Sequence, residues 1–130
     1  MLLNILFFAV CLSHQILSTL LGLPIIRLSP TNQGVQKTIW LGDRQERVGF
    51  YNTFCAKADE LTVNKLHKSG ITFYFDDDRQ VHAISSAKFS SVQFHLESFL
   101  TINGPEILDR FVKPLLQTQY SGNKEKCITA

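Results

Sequence analysis

Little in this 130-residue chain is extreme, and most of what is scarce excludes a class of function. The formal net charge is only +2, and no cluster of Lys or Arg marks a face that could track phosphates. Nucleic acid is therefore not an expected partner. Three cysteines (Cys11, Cys55, Cys127) are far apart and odd in number, with no C-x-x-C pair. That pattern argues against a structural zinc site and against a disulfide framework, and it suits a reducing, cytoplasmic setting. Nor is there an apolar run long enough to span a membrane. Repeats and low-complexity linkers are missing too. What remains is one small domain, with 45% hydrophobic and 11% aromatic residues, able to bury a single core.

The apolar start, Met1 to Val10, runs into Cys11-Leu12-Ser13-His14-Gln15. Without a basic leading segment, and with polar residues soon after it, this stretch reads as a buried strand (Leu2–Val10) that turns sharply into a helix (Ser13–Leu21). A secretory signal peptide is the competing reading, and it would remove Cys11 from the mature protein. In the strand reading Cys11 lies at the positive end of a helix, where unpaired N–H groups favour the thiolate. Gly22 and Pro24 end that helix.

Downstream, Ser29–Gly34 is a loop and Val35–Leu41 a strand, while Arg47–Thr53 and Leu61–Leu66 are further strand candidates. Gly70–Phe75 and Gln80–Ile84 form a hairpin about Asp76–Arg79. Ser90–Phe94 is a short strand that delivers His95 and Glu97. Pro105 opens a last helix whose buried stripe is Ile107, Leu108, Phe111, Leu115 and Leu116. The domain is expected to occupy residues 1–117, with 118–130 a polar, disordered tail. His14 suits a packing or capping role, His67 and His82 the surface, and Cys55 an inert buried thiol. Asp76–Asp78 lacks the spacing of a calcium loop. No metal site is expected.

Cys11 with His95 and Glu97 supplies a nucleophile, a base and an orienting carboxylate. Here the likeness becomes specific. Ala9–Gln15, Asn32–Gln36, Glu46–Phe54 and Val92–Ser98, followed by Leu100-Thr101 and Gly104-Pro105, resemble the triad-type (class I) glutamine amidotransferases. Among these, the anthranilate-synthase-like enzymes of phenazine biosynthesis are nearest. The resemblance implies an incomplete three-layer α/β fold of flavodoxin-like type, with the site at the carboxyl ends of parallel strands. It further implies a glutaminase that hydrolyses glutamine to glutamate and ammonia for a chorismate-using synthase making anthranilate or 2-amino-2-deoxyisochorismate.

By the same resemblance Cys11, His95 and Glu97 are catalytic and the Leu12 N–H faces the oxyanion. Gln15, Thr53 and Phe54 bind glutamine, the last two falling where the family usually carries a Ser-Leu pair. No cofactor is implied for this domain; magnesium belongs to the synthase domain, which is the implied partner. Ala9 and Ser13 stand where glycine is frequent, and Leu96 where proline usually separates the histidine from the glutamate. Relatives carry more strands upstream, and a glycine-rich loop with the second oxyanion donor. The chain is thus expected to be an N-terminally truncated fragment that folds poorly alone, its all-parallel sheet left with open edges. A catalytically inactive homologue that only binds a synthase remains the alternative.

Overall fold

The computed structural model describes residues 5–120 and 126–129. A five-stranded sheet in the order β6-β7-β8-β1-β9 forms the middle layer, from β1 (Ile5–Val10), β6 (Thr72–Phe75), β7 (Val81–Ser85), β8 (Phe89–Val92) and β9 (Lys126–Thr129). The apolar start is therefore an interior strand, with residues 2–4 of the expected Leu2–Val10 outside the described residues. Side chains on β1 alternate. Phe8 faces a core with Ile39, Leu41, Val48, Phe50, Val92, Phe94, Ile107 and Phe111, whereas Phe7 packs on the opposite one, with Leu17, Ala56, Phe73 and Ile84.

The first core is covered by α3 (Gly104–Tyr120) and the hairpin β3 (Val35–Leu41) with β4 (Arg44–Phe50). The second is covered by α1 (Leu12–Leu20) and α2 (Glu60–His67). Beside α1 lies a small antiparallel pair, β2 (Ile25–Arg27) with β5 (Phe54–Ala56). Helix, sheet and helix make the three-layer α/β fold expected.

The expected all-parallel sheet is corrected to a mixed one. β8 and β9 run parallel to β1, but β7 is antiparallel to both β6 and β8. The tight Asp76–Arg79 turn accounts for the first of these reversals, because a connection this short can only join antiparallel strands.

Leu61–Leu66 is helix rather than strand. Asp59 caps it by accepting from the Thr62 N–H at 3.1 Å, with Glu60 in the first turn and Lys65 and His67 in the last. Val63 and Leu66, three apart, meet the core.

β4 begins and ends earlier than expected, at Arg44 and Phe50 rather than Arg47 and Thr53, leaving Tyr51–Thr53 free of the ladder. The Asn52 carbonyl and side-chain oxygen instead take hydrogen bonds from Asn32 at 2.9 and 3.0 Å. On α3 the buried stripe is Ile107, Phe111 and Leu115, spaced by four, while Leu108 and Leu116 are exposed. α3 also continues past residue 117 to Tyr120, and Lys126–Thr129 pairs with β1, so part of the expected tail has regular backbone. His82, expected at the surface, is buried with Nε2 3.1 Å from Asp76 Oδ2. Among the described residues no helix is long and apolar enough to cross a membrane, and no cluster of three or more His, Cys, Asp or Glu could hold a metal ion.

Candidate active site

β1 and β8 are parallel neighbours in register Val10↔Val92, so the residues that come after each strand emerge at one edge of the sheet. Cys11 comes immediately after β1 and His95 three residues after β8. The join at Cys11 is locked by its N–H, which donates to the Val92 carbonyl at 2.9 Å. From there the chain must reverse at once into α1, and Cys11 takes φ 56° and ψ −107° to do so. An L-residue with a β-carbon pays for such a conformation, on the order of 1–3 kcal/mol. Strand, strained residue and helix together make a nucleophile-elbow geometry.

Burial pushes the Cys11 thiol above its ordinary value; the Leu12 N–H opposes that shift, and the Glu97 carboxylate adds to it. The sulfur thus lies within electrostatic reach of Glu97, although the two are far apart in sequence. Leu12 itself extends into solvent, leaving its backbone N–H at the elbow as the contribution to the site.

His95 and Glu97 are joined directly, Nδ1 to Oε2 at 2.7 Å. Burial favours the neutral carboxyl of Glu97, but its own N–H and His95 outweigh this, and it sits below the usual carboxylate range. The turn between them is held by several bonds. The His95 N–H donates to the Gly49 carbonyl at 3.0 Å, and the Thr101 hydroxyl donates to the His95 carbonyl. Behind Leu96 stands Gly104, where an added β-carbon would collide with the Leu96 carbonyl oxygen.

Gln15 projects from α1, and its Nε2 donates to the Phe54 carbonyl at 2.9 Å. The fold therefore brings Gln15 to Phe54. Thr53 stands beside Phe54, its carbonyl accepting from the Leu28 N–H at 2.8 Å. Arg27 lies over the Phe54 ring, 5.9 Å from its centre.

Two residues with no role assigned from the sequence stand at the same edge. Gln93 is buried, with Oε1 accepting from Gln15 at 3.0 Å and Nε2 pointing at Cys11 Sγ at 3.8 Å. Its signal was one polar residue in an otherwise apolar run, Val92-Gln93-Phe94. Tyr51 sets its ring edge-on to His95, with centres 5.1 Å apart, and its hydroxyl meets Ser98 Oγ at 2.9 Å. Its signal was weaker, since an aromatic at a strand end is ordinary.

His14 is fully buried on the core side of the elbow, Nδ1 2.7 Å from Ser91 Oγ. Burial drives its pKa down to about 3, so it packs as a neutral ring. Cys55 is buried as expected, its thiol pushed up to about 11 by burial.

Residues 1–115 match the family model for glutamine amidotransferase class-I. A phenazine-specific anthranilate synthase of Pseudomonas chlororaphis is 45% identical over 120 residues, covering 90% of this chain and 19% of the relative. Its counterpart in Pseudomonas fluorescens is 48% identical over 104 residues, covering 78% and 16%. The chain thus spans less than a fifth of the length of these relatives. In fold it is similar to a protein of Thermoplasma acidophilum assigned to GMP synthase, with a TM-score of 0.69 at 14% identity. That match covers 90% of this chain and 60% of the other. With the family model spanning nearly all of its length, this chain belongs to the class I glutamine amidotransferases.

Proposed function

We propose that the chain is the glutaminase part of a chorismate-using synthase of the anthranilate or 2-amino-2-deoxyisochorismate type. The observation that carries this reading is the convergence of a strained Cys11 elbow and a bonded His95–Glu97 pair on the ends of two adjacent parallel strands.

In this reading His95 takes the Cys11 proton and the sulfur attacks the side-chain carbonyl carbon of glutamine. The resulting oxyanion faces the Leu12 N–H; losing one such donor costs about 10²–10³ in rate in a well-studied protease. Collapse breaks the C–N bond, His95 returns its proton to the leaving ammonia, and a glutamyl thioester remains. Water, deprotonated by His95, then adds to the thioester; glutamate leaves and the thiol is restored. Glu97 holds the imidazole in one tautomer and stabilises its charged form. Gln15, Thr53 and Phe54 hold the glutamine. Ammonia passes to a chorismate-binding synthase domain or subunit, the proposed partner. None of these steps requires a cofactor from this chain, and the magnesium of the family belongs with that partner.

The test is labelling by a glutamine-derived chloromethyl ketone, read by mass spectrometry. The expected result is one label per chain, blocked by glutamine, retained in Cys55→Ala and lost in Cys11→Ala. A folded sample that takes no label at Cys11 overturns the reading.

A further inference from the structure

One buried side chain touches the reacting sulfur without a part in the mechanism above. Gln93 is only 1% exposed, and it uses both ends of its amide across the site. Its Nε2 donates toward Cys11 Sγ at 3.8 Å, while its Oε1 accepts from Gln15 Nε2 at 3.0 Å. Gln15 in turn donates to the Phe54 carbonyl at 2.9 Å. Backbone bonds fix the start of this chain of contacts. The Gln93 N–H donates to the His82 carbonyl at 2.9 Å, and the Cys11 N–H to the Val92 carbonyl at 2.9 Å. A buried amide satisfied at both ends in this way has its orientation set, since reversing it would put two donors against each other at Gln15 and an acceptor against the sulfur.

We propose that Gln93 is the side-chain donor that stabilises the Cys11 thiolate and, through its carbonyl, the residue that positions Gln15 for the substrate. This rests on the reading of Cys11 as nucleophile. Apart from His95, which takes its proton in the reading above, the sulfur needs such a donor. It is partly buried, Glu97 faces it with like charge from the loop after β8, and His14, on its own helix, is neutral and turned into the core. The Leu12 N–H is the backbone donor that favours the thiolate, and the same N–H is the one proposed to turn to the oxyanion once the sulfur attacks. An amide on a neighbouring strand can stay with the sulfur throughout. It would stabilise the leaving thiolate again when the thioester breaks. One group would then couple occupancy of the glutamine site to the ionisation of the nucleophile.

The two ends of the amide are separable by substitution. Gln93→Met keeps the length and removes both interactions. Gln93→Glu keeps an acceptor for Gln15, removes the donor and adds like charge beside the sulfur. Gln15→Met leaves the donor in place but frees its anchor. The readouts are the pH midpoint of iodoacetamide alkylation, followed on the Cys11 peptide, and the chloromethyl ketone concentration giving half-maximal labelling rate. Far-UV circular dichroism and a melting curve establish that each variant is folded.

The expected alkylation midpoint rises by about one pH unit in Gln93→Met, since a hydrogen bond to a charged group is lost. It rises further in Gln93→Glu, and less in Gln15→Met. Half-saturation by the ketone is expected to rise severalfold in Gln93→Met and Gln15→Met, and to stay near the native value in Gln93→Glu. A native midpoint in folded Gln93→Glu overturns the proposal, whatever Gln93→Met does. Midpoints that move as expected in a protein that the ketone never labels would sustain the sulfur donor and discard the glutaminase reading.

Discussion

Cys11 and His95 leave the carboxyl ends of neighbouring strands, yet the chain holds them by different means. Cys11 is placed by the fold itself. Its N–H is tied into the β1–β8 register, its backbone is strained between strand and helix, and buried Gln93 and His14 lie around it. His95 is held by a turn with local bonds to Glu97 and Thr101 and by one backbone bond to Gly49 of β4, with Tyr51 along its edge. The difference teaches where function and stability are coupled. Changes at Cys11 should register in both, whereas most changes around His95 should spare the core and alter chemistry alone.

The largest effect is expected at Cys11. Both Cys11→Ala and Cys11→Gly should abolish labelling and turnover, but their stabilities should invert the usual order. Alanine ordinarily exceeds glycine through lower unfolded-chain entropy. At φ 56° and ψ −107° a β-carbon is strained, so the glycine variant should be the more stable by about 1 kcal/mol in urea unfolding. An alanine variant as stable as or more stable than the glycine variant would mean that the elbow is not strained and that the contrast between the two sides is weaker than drawn.

Glu97→Gln comes next. It should slow ammonia release on the order of 10²-fold, because the amide can neither fix the imidazole tautomer nor stabilise its charge. Melting temperature should barely change, since the carboxylate is largely exposed. The direction of its pKa shift gives a pH test. The carboxyl sits below the usual carboxylate range in the fold, so its link to His95 is intact above that range and disappears only as pH falls below it. The activity difference between native protein and Glu97→Gln should therefore hold from neutral pH down through the ordinary carboxylate range. A gap that closes already at weakly acidic pH would place the orienting role elsewhere.

Gly104→Ala probes the seam between the two sides. Its new methyl would meet the Leu96 carbonyl, which must move and carry the His95–Glu97 turn with it. The expectation is a stability loss of about 1–3 kcal/mol together with about tenfold slower turnover and near-native iodoacetamide alkylation of Cys11. Loss of Cys11 reactivity in parallel would show that α3 supports both residues equally, and the two sides would no longer differ in this respect.

These contrasts also explain what could be read from the chain before its structure. The elbow and the His95-x-Glu97 spacing are local patterns, and each lies where one strand ends, so both were legible along with β1, β3, the β6–β7 hairpin and the start of α3. β2 and β5 escaped because three residues carry no period. Leu61–Leu66 was misread because Thr62 and Val63 favour strands locally, while the deciding Asp59 cap lies outside the run. His82 and Asp76 are neighbours across the β6–β7 hairpin, but the packing of His82 against Phe50 and the contacts of Gln93 arise from pairings between distant segments. Gln93 and Cys11 are 82 positions apart, and no spacing rule connects them.

Tyr51→Phe should give the smallest effect, and it sets the lower bound for the turn. The Ser98 hydroxyl accepts from the Leu100 N–H at 3.1 Å and meets the Tyr51 hydroxyl at 2.9 Å. Phenylalanine keeps the ring edge against His95 and removes only this bond. A half-exposed neutral hydrogen bond contributes about 0.5–1 kcal/mol, so turnover should fall by about two- to fivefold if the bond serves mainly to hold His95. Melting should be unchanged within error, because Tyr51 lies beyond the end of β4 and outside the core. Tyr51→Leu removes the ring edge as well and should cost more than Tyr51→Phe while still remaining above Glu97→Gln. If Tyr51→Phe were as damaging as Glu97→Gln, the Tyr51–Ser98 hydrogen bond rather than the carboxylate would be the principal support of the base. His95 would then depend on the segment after β4 as much as on its own turn.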